Sequence, residues 1–167
     1  MTPENCKVVS DFLCNALLNE SQTTRKILAA LPQDKMDYLP NEKAMSAGAL
    51  AWHIAVADHF FLTAVATGDF PKFSTDPTPA TVAEILTYYD ANIPPMLDKI
   101  KLLSPEQTAK IMTFAIFTFP AVVSLNLANG HSIHHRGQLS AYLRAMGAKV
   151  PSIYGPSADD KGVEASA

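Results

Sequence analysis

The sequence predicts an all-α protein built as a four-helix bundle. Three observations carry that expectation. Four long stretches repeat apolar residues at the 3.6-residue period of an amphipathic helix. Segments bearing proline and glycine separate those stretches. No stretch alternates convincingly as a strand, so helix packed on helix is the architecture that remains.

Val9, Phe12, Leu13, Ala16, Leu17, Ile27, Leu28 and Leu31 place a first helix over residues 5 to 30, and Pro32 ends it. A polar link with Pro40 and Asn41 follows. Ser46 is suited to cap a second helix, which carries Leu50, Ile54, Ala57, Phe60, Phe61 and Ala64 and stops near Gly68. Pro71, Pro77 and Pro79 mark a loop. A third helix is expected from near Pro79 through Val82, Ile85, Leu86, Tyr89, Ile93, Leu97 and Ile100. Pro94 and Pro95 fall inside it and predict a kink or break, because each removes a backbone donor. The β-branched and aromatic residues between Ile111 and Phe119 are compatible with an extended segment. A last helix is expected from near Pro120 to Met146, with Gly147 closing it.

At 167 residues the chain fits a single domain, 1–167, with a tail that is non-helical from about residue 150. The 153–159 stretch of that tail either caps the bundle or crosses to a partner chain. With 48% hydrophobic and 17% charged residues, the chain has enough apolar surface for a core and for burial in a homodimer. Net charge is −3 and no dense Lys/Arg cluster occurs, which argues against nucleic acid as a partner. The apolar 114–128 window contains Thr118, Pro120, Ser124 and Asn126 and is too short for a membrane span. Cys6 and Cys14 lie about 12 Å apart along a helix, too far for a disulfide, and fit a reducing compartment. No basic start or apolar run resembles a signal peptide, so a cytoplasmic protein is expected.

Three of the five histidines fall in His131-Ser132-Ile133-His134-His135. His131 and His135 are four apart, one helical turn on one face, a spacing that lets two imidazoles hold one metal ion. On a wheel of 100° per residue, Ser124, Gln138 and Tyr142 share their stripe, which is expected to face the bundle interior. His134 lies toward the edge and Arg136 on the outer side. On the second helix His53 is central to an apolar face with Ala49, Leu50, Ala57, Phe60 and Ala64, whereas Asp58 and His59 point away. Taken alone, His53 is either a hydrogen-bonded core histidine or a ligand. With a second inward His pair in the same bundle, three imidazoles converge and need a cation or compensating hydrogen bonds. The alanines beside His53 serve either close helix packing or a cavity. Glu20 falls inside the apolar stripe of the first helix. It is either a partner to a ligand histidine, and so the one candidate catalytic acid, or it reaches solvent. Cys14 gets no role.

The run Leu50-Ala51-Trp52-His53-Ile54, followed by Asp58-His59-Phe60-Phe61, resembles the DinB/YfiT-like superfamily. So does His131-x-x-x-His135-Arg136-Gly137-Gln138-Leu139 with Tyr142-Leu143-Arg144, and the resemblance spans the first helix to Gly147. It implies a four-helix bundle of up-down-down-up topology, often dimeric. It implies a nickel or zinc ion held by one histidine of the second helix and the i, i+4 pair of the last, here His53, His131 and His135. Characterised relatives include S-transferases and isomerases that use low-molecular-weight thiols, with hydrolase activity also proposed.

A three-histidine site leaves a coordination position open, as catalytic sites do, and nitrogen ligands suit zinc, nickel, copper or iron. The first functional expectation is a transferase that activates a low-molecular-weight thiol against a small-molecule substrate. The second is a hydrolase using bound hydroxide. The third is a non-enzymatic protein that binds a metal or a small molecule. Metalloproteases with His-Glu-x-x-His carry a glutamate base after the first ligand. Here that position is Ser132, so Glu20 is the substitute available on a core face.

Overall fold

α1 (Pro3–Ala29) starts where the Thr2 side chain accepts the Asn5 N–H and Pro3 takes the first helical turn. The computed structural model describes residues 1–160; the last seven residues of the expected 1–167 domain lie outside that range. α2 (Ala47–Thr67) is capped by Ser46 and ends at Gly68, whose φ of 74° is the left-handed conformation that glycine adopts without strain. α3 (Val82–Lys101) begins with a reciprocal Thr81–Glu84 capping box. A short α4 (Pro105–Thr108) and an antiparallel hairpin, β1 (Ile111–Phe114) and β2 (Phe117–Pro120), lead into α5 (Val123–Ala145). In the hairpin Ile111 pairs with Pro120 and Phe114 with Phe117.

α1 and α2 each pack on both α3 and α5, so the four long helices form the sides of a square bundle. Cross-helix bonds give their directions. Lys7 donates to the Lys101 carbonyl and Arg25 bonds Asp90, so α1 and α3 are antiparallel. Gly68 and Leu103 line one small cavity, which puts the ends of α2 and α3 together. His53 lies beside His135 and Phe61 beside His131, so α2 and α5 are antiparallel. The topology is up-down-down-up. The core is a continuous cluster that includes Leu50, Ile54, Ile85, Ile93, Leu97, Leu125, Leu139 and Leu143.

The 111–119 segment is extended, as its composition allows, and pairs as a hairpin. Several expectations are corrected. The third helix starts at Val82 rather than near Pro79, and the last at Val123 rather than near Pro120. Pro94 and Pro95 do not break α3. The carbonyls they leave without donors belong to Asp90 and Ala91, both exposed, so water replaces the lost bonds. On α1 the buried face is Cys6, Ser10, Cys14, Leu17, Ser21, Thr24, Ile27 and Leu28. Phe12, expected in the core, is 71% exposed, and Cys14 is fully buried. Small residues occupy the early turns of that face because α1 lies close to its neighbours. Among the described residues the helix long and apolar enough to cross a bilayer is α2, not the 114–128 window. α2 is apolar nearly all round because neighbours cover most of it, as a central core helix requires. The tail folds back on its own bundle: Tyr154 reaches Glu20, and Asp159 bonds Arg144 and the Val150 N–H.

Candidate metal centre

α2 and α5 bring His53, His131 and His135 together although 78 residues separate the first two. One nitrogen from each ring lies within 4.8 Å of the others. The Nε2 atoms of His53 and His131 are 3.0 Å apart. Two imidazole nitrogens at about 2.0–2.1 Å from one zinc ion sit about 2.8–3.4 Å from each other for angles between a right angle and the tetrahedral value. The observed spacing falls in that span. The three ring centroids are 4.4 to 4.9 Å apart.

The surroundings of His131 and His53 favour their neutral forms. Burial, then the neighbouring imidazoles, push His131 down to about 4. Burial and His135 lower His53 as well. At neutral pH these two rings are therefore uncharged, and each has one ring nitrogen with a lone pair to offer a metal. His135 donates its Nδ1–H to Gln138 Oε1 at 3.0 Å, which leaves Nε2 as the free ligand atom. Gln138 is itself held, donating to the Tyr142 hydroxyl at 3.2 Å. Tyr142 packs edge-on against Tyr38. The buried Nδ1 of His131 has no hydrogen-bond partner. This donor set fits a divalent cation.

The other sequence candidates lie as follows. Ser124 is fully buried about two turns before His131, with its Oγ unpartnered. Ala57 and Ala64 are buried in the core, and Ala64 packs against Met112 and Ala121. Phe60 belongs to an aromatic cluster with Phe61, Phe70, Phe73 and Phe114. His59 bonds the Tyr88 hydroxyl at 2.6 Å, away from the triad, and His134 is exposed. Glu20 bonds no histidine; its Oε2 lies 2.6 Å from the Arg136 guanidinium.

Two sidedness expectations reverse. Arg136, expected outside, is 1% exposed, and Asp58, expected away from the core, is 5% exposed. The triad, expected in the interior, is half-buried at the bundle edge. The relative wheel positions are correct, but α5 is covered on two sides. Its α1-facing side carries Ser132, Arg136, Leu139 and Leu143, and the histidines occupy the rim beside α2. The buried network on that inner side escaped the sequence reading. Asp58 Oδ2 accepts from the Ser132 and Tyr89 hydroxyls, and Arg136 donates to Thr24 Oγ1 and the Glu20 carbonyl. The signal for it was Glu20 itself, because an acid in an apolar stripe needs a cation and Arg136 supplies it.

A match to the DinB family covers residues 8–163. The chain belongs to the DinB family. Among its relatives, YjoA of Bacillus subtilis strain 168 is 24% identical over 140 residues, which is 83% of this chain and 91% of YjoA. YrdA of the same organism is 26% identical over 143 residues, covering 84% of this chain and 85% of YrdA. The crystal structure of a DinB-like protein from Bacillus cereus ATCC 10987 superposes with a TM-score of 0.75 at 22% identity, over 85% of this chain and 95% of that one. The likeness to that solved DinB-like structure shows that the two chains share the helical fold described above.

Proposed function

We propose that this DinB-family protein is a metal-dependent transferase that binds one divalent ion, zinc or nickel, through His53, His131 and His135. In this reading it uses a low-molecular-weight thiol as the nucleophile toward a small-molecule substrate. The observation that carries the reading is the cluster itself: three converging imidazoles with no carboxylate in the group. A divalent ion bound there lowers the pKa of a coordinated thiol, making it a better nucleophile. The chain's own residues do the rest. His53 projects from α2 and the other two from α5, so the rigid α2–α5 contact sets their spacing. Gln138 and Tyr142 hold the His135 ring in one orientation. Phe61 packs 5.8 Å from the His131 ring and gives that side of the site an apolar wall.

Hydrolysis by a bound hydroxide is aided by a base that takes up and returns a proton as the bond breaks. Glu20, the acid nominated for that role, is committed to Arg136 and Tyr154. That favours thiol transfer, because a thiol surrenders its proton near neutral pH without a carboxylate. The test is elemental analysis of protein purified without a metal-affinity tag, followed by turnover of an electrophile with and without added thiol. One divalent ion per chain and turnover only with thiol are expected. Thiol-independent cleavage, or metal content unchanged in His131→Ala, would overturn the reading.

A further inference from the structure

The β1–β2 hairpin leans over the start of α5 and encloses a groove of about 690 Å³. Phe61, Phe114, Phe117, Phe119, Leu127 and His131 line it. We infer that this groove receives an uncharged, apolar portion of the substrate, and that Gly130 keeps it open as far as His131. The inference rests on the triad being the reactive centre and adds the chemical class of what it acts on.

Four observations converge on that class. The volume falls within the range of about 300–1,000 Å³ typical of small-molecule sites. Among the described residues no charged side chain lines the groove, and Asn126 is the one polar lining residue besides His131. A carboxylate, phosphate or ammonium group seated there would lose its water and find no counter-charge. His131 belongs both to the groove and to the triad, so a group lying against Phe61 and Phe114 has its neighbouring atoms at the imidazoles. Finally, Phe117 and Ile116 at the hairpin tip are 62% and 88% exposed, giving the mouth an apolar rim.

Gly130 explains why the groove reaches the triad. A glycine inside a helix is less favourable than alanine, because more backbone freedom is lost on folding. Here close packing does not require one, because a Cβ built at Gly130 meets nothing within 4 Å. The space that a side chain would fill is the groove floor next to His131. Any larger residue at this position shortens the groove from its reactive end.

The test compares two dyes with one skeleton. N-phenyl-1-naphthylamine is neutral and apolar; its 8-sulfonate analogue is anionic. Both are titrated by fluorescence into the protein as purified and after chelation. The neutral dye is expected to saturate at one site per chain and to bind about tenfold more tightly than the sulfonate. Gly130→Leu is expected to weaken the neutral dye by about tenfold while metal content stays at the wild-type level. Phe117→Asp, a change at an exposed rim position, is expected to weaken it as well. Equal affinity for both dyes, or unchanged affinity in both variants, overturns the inference. So does a change of oligomeric state in Phe117→Asp, which would make the groove a contact between copies. Because dye binding is also read on chelated protein, loss of the metal reading alone leaves this result intact.

Discussion

Arg136 on α5 and Glu20 on α1 form an ion pair at 2.6 Å whose cation is 1% exposed and whose anion is 20% exposed. The pair ties the last helix to the first, and Tyr154 of the tail donates to Glu20 from outside. The arrangement explains how an arginine one residue from a proposed metal ligand is held in the core: Glu20 offsets the cost of burying its charge. It also gives Glu20 an architectural task.

Removing the anion strands the more deeply buried partner. Glu20→Gln is expected to destabilise the fold by about 3 kcal/mol, since a buried charge left unpaired costs on that order. Arg136→Met is expected to cost less, because the leftover Glu20 keeps some contact with water. Denaturant midpoints measure both. Metal content in Glu20→Gln should match the wild type; its loss would restore Glu20 to the metal centre.

The metal reading separates the histidines sharply. His53→Ala, His131→Ala and His135→Ala should each lose the ion, whereas His59→Ala and His134→Ala should retain it, as read by elemental analysis. Gln138→Ala should keep the site but weaken it by about 10- to 100-fold, because the His135 ring loses the acceptor that orients it. Competition with a chelator of known affinity reads that difference.

Asp58 gives the fold a distinctive pH response. Burial pushes its carboxyl up to about 7, against the lowering effects of the Ser132 and Tyr89 hydroxyls and of Arg136. The folded chain therefore holds this proton where the unfolded chain releases it. The resulting stabilisation is full below the ordinary value of 3.8 and is lost as pH rises through about 7. Asp58→Asn removes the titration. Between those limits, wild-type stability should fall more steeply with pH than that of the variant, by on the order of 1 kcal/mol per pH unit. Parallel stability curves from denaturant titrations would show that Asp58 is ionised throughout.

The hairpin turn stores a small strain. Ala115 has φ of 54°, in the left-handed region where a Cβ is disfavoured. Ala115→Gly should raise stability by about 1 kcal/mol without moving the groove, as read from thermal unfolding and dye affinity together. A lower melting temperature would show that the turn is unstrained.

How far the sequence reaches can be judged from individual residues. Ser46 and Gly68 sit at helix ends, and the four long helices follow the apolar spacing closely, because capping and 3.6-residue periodicity act within a few residues. The His131–His135 spacing is equally local, since one turn of helix puts the two rings on one face. Phe12 shows where this stops: it fits the period of α1 yet faces outward.

What the chain determined by itself was the set of helices and the relative angle of every side chain on each one. Which arc of a helix is buried depends on how many neighbours cover it, and that is a non-local property. α5 meets both α1 and α2, so Arg136 turns inward and the histidines move to the rim. The groove likewise exists only because β1 and β2 fold over α5 and bring Phe114, Phe117 and Phe119 to Gly130 and His131. Local spacing sets angles on a helix; tertiary packing sets which of those angles meet water, metal or core.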